Sequence, residues 1–297
     1  MTEELGGQLL VDWEPSPITP VGLDAVLSAD FCDRYLATSD DASRKLGIDI
    51  RSVPRYLEFD SHLGVVTLAG LDKGEQFFMP SLRSILAKRS VSVIAVSAGG
   101  KFTLSGSSRL TASEQEAFRQ RRHAAYRALS LQQDIEEAAS RLVSEHGEFL
   151  ALHLRYSDRS LESPWRTRIA PALRRLHEES GVSSLLIASD TRKERDRWVV
   201  RAPSLGLRPW CVKDTNASRM DEAGAHSALL DWRLLTRAKA SVYFAASSFA
   251  EEAAVASDGF SASIGLRAGP ERIAWNKSRH FGRNAITYPK RLRNRRR

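Results

Sequence analysis

From Phe149 to Ala256 short apolar runs alternate with longer amphipathic ones, and this rhythm constrains the fold more than any other feature of the chain. Phe149–Leu154 reads as an uninterrupted apolar strand. Pro164, behind Ser163, opens a helix with Ile169, Leu173 and Leu176 on one face, and Gly181 ends it. Ser184–Ala188 is the next strand, Arg192–Val200 a helix, and Pro209–Val212 a strand. The helix His226–Arg237, the strand Ser241–Ala245 and the helix Ser248–Ala256 complete the series. Strands without polar alternation are buried on both faces. When helices separate them in sequence, they pair in parallel and the helices cover the sheet. Such sheets take their ligands beyond the carboxyl ends of the strands.

The segment before this is less regular. Leu9–Val11, Val65–Leu68 and Val91–Val96 read as strands, and Asp24–Leu36 and Leu82–Lys88 as short helices. Glu114–Leu129 is a polar, basic helix. Ser130 is expected to open another, with Gln133 at the capping-box position, a stripe of Leu131, Ile135, Ala138, Ala139 and Leu142, and Gly147 closing it. A length of 297 residues accommodates two domains. The expected division is an N-terminal α/β domain over 1–129, a Rossmann-like domain over 130–271 and a basic segment over 272–297.

Four places at the inferred strand ends carry chemistry. In His153-Leu154-Arg155 the period of two points His153 and Arg155 the same way. A guanidinium there suits a diphosphate, because it is planar, permanently charged and able to donate to two oxygens at once. Ala188-Ser189-Asp190 places a carboxylate where the second strand stops. Asp231 stands inside the apolar helix segment Leu229-Leu230-Asp231-Trp232. Ser247 and Ser248 mark a strand-to-helix junction, where free N–H groups favour an anion. Each has a plainer structural alternative: an ion pair of Arg155 with Asp158 or Asp190, a helix cap for Asp190 or either serine, a solvated helix face for Asp231.

These motifs, taken in order over residues 130 to 257, resemble the fucosyltransferase-like glycosyltransferases, a group that includes α1,6-fucosyltransferases, nodulation fucosyltransferases and protein O-fucosyltransferases. His153-Leu154-Arg155 matches the family's His-x-Arg strand end. Ala188-Ser189-Asp190 matches its Ala-(Ser/Thr)-Asp strand end. Leu229-Leu230-Asp231 with Ser247-Ser248 matches its apolar helix with Asp, followed by a strand and paired serines. The resemblance implies a GT-B fold of two Rossmann-like domains, and an inverting, metal-independent transfer from a GDP-sugar, expected to be GDP-fucose, to a glycan or other hydroxyl acceptor. By the same resemblance Arg155 holds the β-phosphate, His153 and Asp231 meet the guanine, Asp190 lies near the nucleotide or acceptor, and Ser247 and Ser248 contact the diphosphate. Glu162, in the loop after the His-x-Arg strand, is the candidate general base, with Asp158 behind it. No metal and no cofactor beyond the donor substrate is implied.

The family opens with a strand, a Gly-rich loop and a helix. Here Gly6-Gly7 precede Leu9–Val11, which ends in Asp12-Trp13 like the family's second strand. The family's opening unit is therefore not found in this reading: either the start is misassigned or the N-terminal domain is reduced. The alternative function is a catalytically inactive nucleotide-binding or interaction protein on the same fold.

Charge narrows the other classes. The net charge is +8, but the ten Lys and Arg from Arg272 onward stand without an acid, leaving 34 basic against 36 acidic residues elsewhere. A near-neutral body argues against a specific nucleic-acid groove. The tail is expected to be a solvated end, able at most to touch RNA non-specifically or to make weak contact with an anionic membrane surface. The two cysteines, Cys32 and Cys211, suggest neither a disulfide framework nor a zinc site. No run of about 18 apolar residues and no basic, apolar leader is evident, so a cytoplasmic location is expected.

Overall fold

The computed structural model describes residues 21–36, 39–47, 59–60, 65–69, 93–97, 112–155, 166–212, 221–245 and 247–266. The strand Leu9–Val11, the helix Leu82–Lys88 and the basic segment from Arg272 lie outside them. The chain divides into two compact units: Met1–Gln133 with Met220–Glu222, and Asp134–Arg219 with Ala223–Arg297.

In the first unit, Phe59–Asp60 (β1), Val65–Ala69 (β2) and Val93–Ser97 (β3) form a sheet in the order β1-β2-β3. β1 runs antiparallel to β2, and β2 runs parallel to β3. The helices are Ala29–Tyr35 (α1), Ser39–Leu46 (α2) and Ala112–Arg127 (α3). The single helix expected over Asp24–Leu36 is broken. Leu23–Ala25 is one 3-10 turn, and α1 starts afresh because the Ser28 hydroxyl accepts a hydrogen bond from the Phe31 N–H at 3.2 Å. Between them Leu27 bridges Leu131 in antiparallel fashion.

That bridge also corrects the start of the next helix. Leu131 joins backbone pairing instead of the helical stripe, Gln132 N–H donates to the Val26 carbonyl, and the helix Gln133–His146 (α4) begins two residues later than Leu131. Ile135 and Ala139 keep their buried positions.

The second unit carries a five-stranded parallel sheet in the order β6-β5-β4-β7-β8. Its strands are Leu150–Leu154 (β4), Ser184–Ser189 (β5), Arg208–Trp210 (β6), Ala240–Phe244 (β7) and Ile264–Leu266 (β8). The helices between them are Arg166–Ser180 (α5), Arg192–Arg201 (α6), Glu222–Arg237 (α7) and Ser248–Ala256 (α8). Gly147 and Gly181 end α4 and α5 at φ of 65° and 70°, a conformation that side chains resist.

All five residues of β4 are buried, His153 among the four apolar ones. Leu150, Leu152 and Leu154 share one cluster with Leu185, Ile187 and Val242 and with Ile169, Leu173, Leu176 and Trp198 of α5 and α6. Each such leucine contributes about 1.5–3 kcal/mol when removed from water. On the opposite face Tyr243 packs against Ala250 and Ala254 of α8. Right-handed crossovers account for this division. Chain moving outward from β4 to β6 lays α5 and α6 on one face, and chain returning to β7 and β8 lays α7 and α8 on the other. The α/β architecture with a parallel sheet is thus the one expected from the sequence.

Candidate functional site

The strand order reverses between β4 and β7. From β4 the chain travels to β5 and β6, then crosses back to β7 on β4's other side. Parallel sheets of this kind take their ligands beyond the carboxyl ends of the strands at such a reversal.

His153 stands at this point, paired in register with Ala188 of β5 and Tyr243 of β7. It is buried, with its ring centroid 5.3 Å from that of Phe249 in the first turn of α8. Arg155 follows at the end of β4, half-buried, and by strand period lies on the side of His153. Asp190 is held beside it: its backbone N–H donates to the Leu154 carbonyl at 3.3 Å. Asp190 is not the cap of α6. That position belongs to Thr191, whose N–H donates to Ser189 Oγ.

Ser247 is the N-cap residue of α8 and only 2% exposed. Its N–H donates to the Phe244 carbonyl at 2.8 Å, but its hydroxyl caps no N–H. Among the described residues Ser247 Oγ is buried with no hydrogen-bond partner. A hydroxyl left so is costly unless a ligand completes it. The plain reading as a helix cap therefore does not hold for this side chain. Ser248, the first helical residue, is exposed.

Asp231 departs from the solvated helix face that its sequence allowed. Although the residue keeps partial exposure, burial pushes its carboxyl up to about 7, and the charge of Arg195 in α6 pulls it back. The neighbouring Trp232 and Leu234 are buried. The fold brings His153, Arg155, Asp190 and Ser247 to the carboxyl ends of β4, β5 and β7, and links Asp231 electrostatically to the first turns of α6. Asp158 and Glu162 lie outside the described residues. Among the described residues no group of three or more His, Cys, Asp or Glu is placed to hold a metal ion.

Three residues of this region escape a reading of strand ends: Thr191, Arg195 and Phe249. The paired serines pointed to the helix start but not to the aromatic behind them. Thr191 and Glu194 have capping-box spacing, which marks a helix N-terminus without revealing that the cap stays open.

No protein-family model and no curated protein matches the chain. In structure it is similar to POFUT1 in complex with GDP, with a TM-score of 0.50 and 13% identity over 90% of both chains. It is also similar to NodZ alpha-1,6-fucosyltransferase soaked with GDP-fucose, with a TM-score of 0.49 and 16% identity over 86% of this chain and 84% of that one. Fucosyltransferase NodZ from Bradyrhizobium aligns with a TM-score of 0.47 and 14% identity over the same shares, 86% and 84%. The likeness to POFUT1 is one of fold, and the fold of this chain is fucosyltransferase-like.

Proposed function

We propose that the chain is a glycosyltransferase of GT-B type that moves a sugar from a GDP-sugar, with fucose as the expected sugar, to a hydroxyl acceptor. The observation that carries this reading is the gathering of Arg155 and the open cap of Ser247 at the point where the parallel sheet reverses. A guanidinium and a helix N-terminus are suited to a diphosphate. POFUT1, described above in complex with GDP, supports the choice of a GDP-linked donor.

The proposed transfer is inverting, as the family resemblance implies. The acceptor oxygen bonds to C1 of the sugar as the bond from C1 to the diphosphate oxygen breaks. The electron pair of that bond passes to the diphosphate, and Arg155 with the N-terminus of α8 stabilises the growing charge. The acceptor proton passes to a carboxylate, for which Glu162 is the candidate and Asp158 the reserve. Asp231 accepts the N1–H and N2–H of guanine, and His153 lies against the base. Asp190 lies near the nucleotide or the acceptor. The first unit supplies the acceptor side, a glycan or another hydroxyl compound. No metal takes part in this scheme. Among the described residues no helix is long and apolar enough to cross a membrane, and the proposed setting is the cytoplasm, with weak membrane contact through the basic tail.

Titration with GDP, UDP and ADP tests the donor site, and release of fucose or its transfer from GDP-fucose tests the chemistry. GDP-selective binding that collapses in Arg155→Ala supports the reading. Binding indifferent to the base and to Arg155 overturns it. GDP binding without turnover of any GDP-sugar leaves the inactive nucleotide-binding alternative.

A further inference from the structure

The helices of the second unit divide its charge between the two faces of the sheet. α5 and α6 share one face, through Ile169, Leu173 and Trp198 in the leucine cluster. Together they hold nine Arg and Lys against four acids. α7 and α8 cover the other face. α4 is tied to α7, with Glu136 accepting from Arg233 Nε at 2.8 Å and from Arg237 Nη2 at 3.0 Å. These three helices hold eight acids against three arginines. The near-neutral body is therefore a cancellation of two opposed faces.

The cations of the basic face are not there to hold the fold. Arg168 and Arg174 of α5 and Lys193 of α6 are exposed and make no ion pair among the described residues. Arg192 is exposed too, and its Nε is 3.9 Å from Asp196. Arg168, Arg192 and Lys193 stand in the first turns of their helices, where the positive end of the macrodipole disfavours a cation.

The outer line of α6 is more specific. Lys193, Arg197 and Val200 are spaced i, i+4 and i+7 and form one stripe, on the side away from the buried Glu194 and Trp198. Val200 is 80% exposed, and among the described residues it is the one large apolar side chain left so. Arg201 follows it, with its guanidinium 4.9 Å from the centre of the Trp198 ring. An apolar side chain among Lys and Arg on the outer line of a helix suits an anionic lipid surface. The cations meet headgroup phosphates while the apolar group enters the acyl boundary. A nucleic acid would satisfy the cations and leave the valine without a partner.

We propose that the α5–α6 face, led by Lys193, Arg197 and Val200, seats the protein on an anionic phospholipid membrane, with the acidic face of α4, α7 and α8 turned to water. This contact belongs to the folded domain, in addition to the basic tail, and is independent of the donor chemistry.

Flotation of the full chain with vesicles tests this, using phosphatidylcholine alone and an equimolar mixture with phosphatidylglycerol. Binding is expected to the mixed vesicles only, and to weaken as salt is raised. A cation near such a surface is worth about fivefold in partitioning. Arg197→Gln is thus expected to bind about fivefold more weakly, and the double variant Lys193→Gln, Arg197→Gln about 25-fold. Arg141→Gln removes the same charge from exposed α4 and is expected to change binding by less than about twofold. Val200→Ser is expected to lose about fourfold, the worth of roughly one methylene kept out of hydrocarbon. All four positions are exposed, so the variants are expected to keep the wild-type circular dichroism. The tail is present throughout, so its own contribution cancels. An unchanged double variant, or equal losses in Arg141→Gln and Arg197→Gln, overturns the proposal. So does an unchanged Val200→Ser beside polyuridylate binding that Arg197→Gln weakens, which makes the face a nucleic-acid surface. Absent vesicle binding with a concentration-dependent dimer that Arg197→Gln dissolves gives the basic face to the acidic face of a second copy, and overturns it as well.

Discussion

His153 on β4 and Tyr243 on β7 are register partners on adjacent parallel strands, at the place where the sheet's order reverses. Tyr243 packs under α8 and the His153 ring lies against Phe249 of the same helix, so β4, β7 and the N-terminus of α8 converge on one spot. Arg155 and Ser247 border it. The proposed donor site is a consequence of this convergence, and each part of it is open to measurement.

Arg155→Ala is expected to keep the fold, since the side chain is half-buried at a strand end and lies outside the leucine cluster. Removing a guanidinium from a diphosphate costs about 2–5 kcal/mol, which calorimetry reads as a loss of well over tenfold in GDP affinity. Unchanged affinity in a folded variant removes Arg155 from the site.

Ser247→Ala separates a cap from a ligand contact. Losing an N-cap hydroxyl ordinarily costs about 1 kcal/mol. The Ser247 hydroxyl makes no cap bond, so thermal stability is expected to change by less than about 0.5 kcal/mol. GDP affinity is expected to fall by roughly five- to tenfold as one hydrogen bond to the diphosphate disappears. A large loss of stability with unchanged binding would return this serine to a capping role.

Asp231 gives the site a pH dependence. Burial raises its carboxyl from 3.8 to about 7, so its contribution to stability is fully present below about 3.8 and is lost as pH rises through about 7. Binding runs the other way, because only the carboxylate accepts two guanine N–H bonds. Affinity for GDP-fucose, whose diphosphate does not titrate near neutrality, is expected to rise by up to about tenfold per pH unit approaching 7 and to level off above about 8. Asp231→Asn should give a weaker and flat profile over that range. A flat profile in the wild type would remove Asp231 from the base contact.

Leu152→Ala probes the scaffold beneath the site. Leu152 is 1% exposed in the middle of β4 and packs into the main cluster. Truncation leaves a cavity and is expected to cost about 2–5 kcal/mol, lowering the melting temperature of the second unit. A change below about 1 kcal/mol would mean that this face of the sheet is looser than its burial implies.

The sequence by itself determined the layered α/β pattern. A strand buried on both faces must be apolar throughout, and a helix lying on a sheet must be apolar on one face, so β4, β5 and β7 and α5 to α8 were legible from Phe149 onward. The motif residues were legible too, because chemistry at a strand end needs particular side chains. Tertiary structure decided the rest. Leu131 had a helical spacing, but long-range pairing with Leu27 took it into a bridge and moved the helix start to Gln133. Asp231 left a surface position open as an alternative, but packing of α7 buries it in part and raises its carboxyl. Arg195 carried no signal at all, since its charge acts on Asp231 from another helix, 36 positions away in sequence. Local pattern records which face of an element turns inward. Which groups then meet across elements depends on crossover handedness and side-chain burial, and those exist only once the sheet has closed.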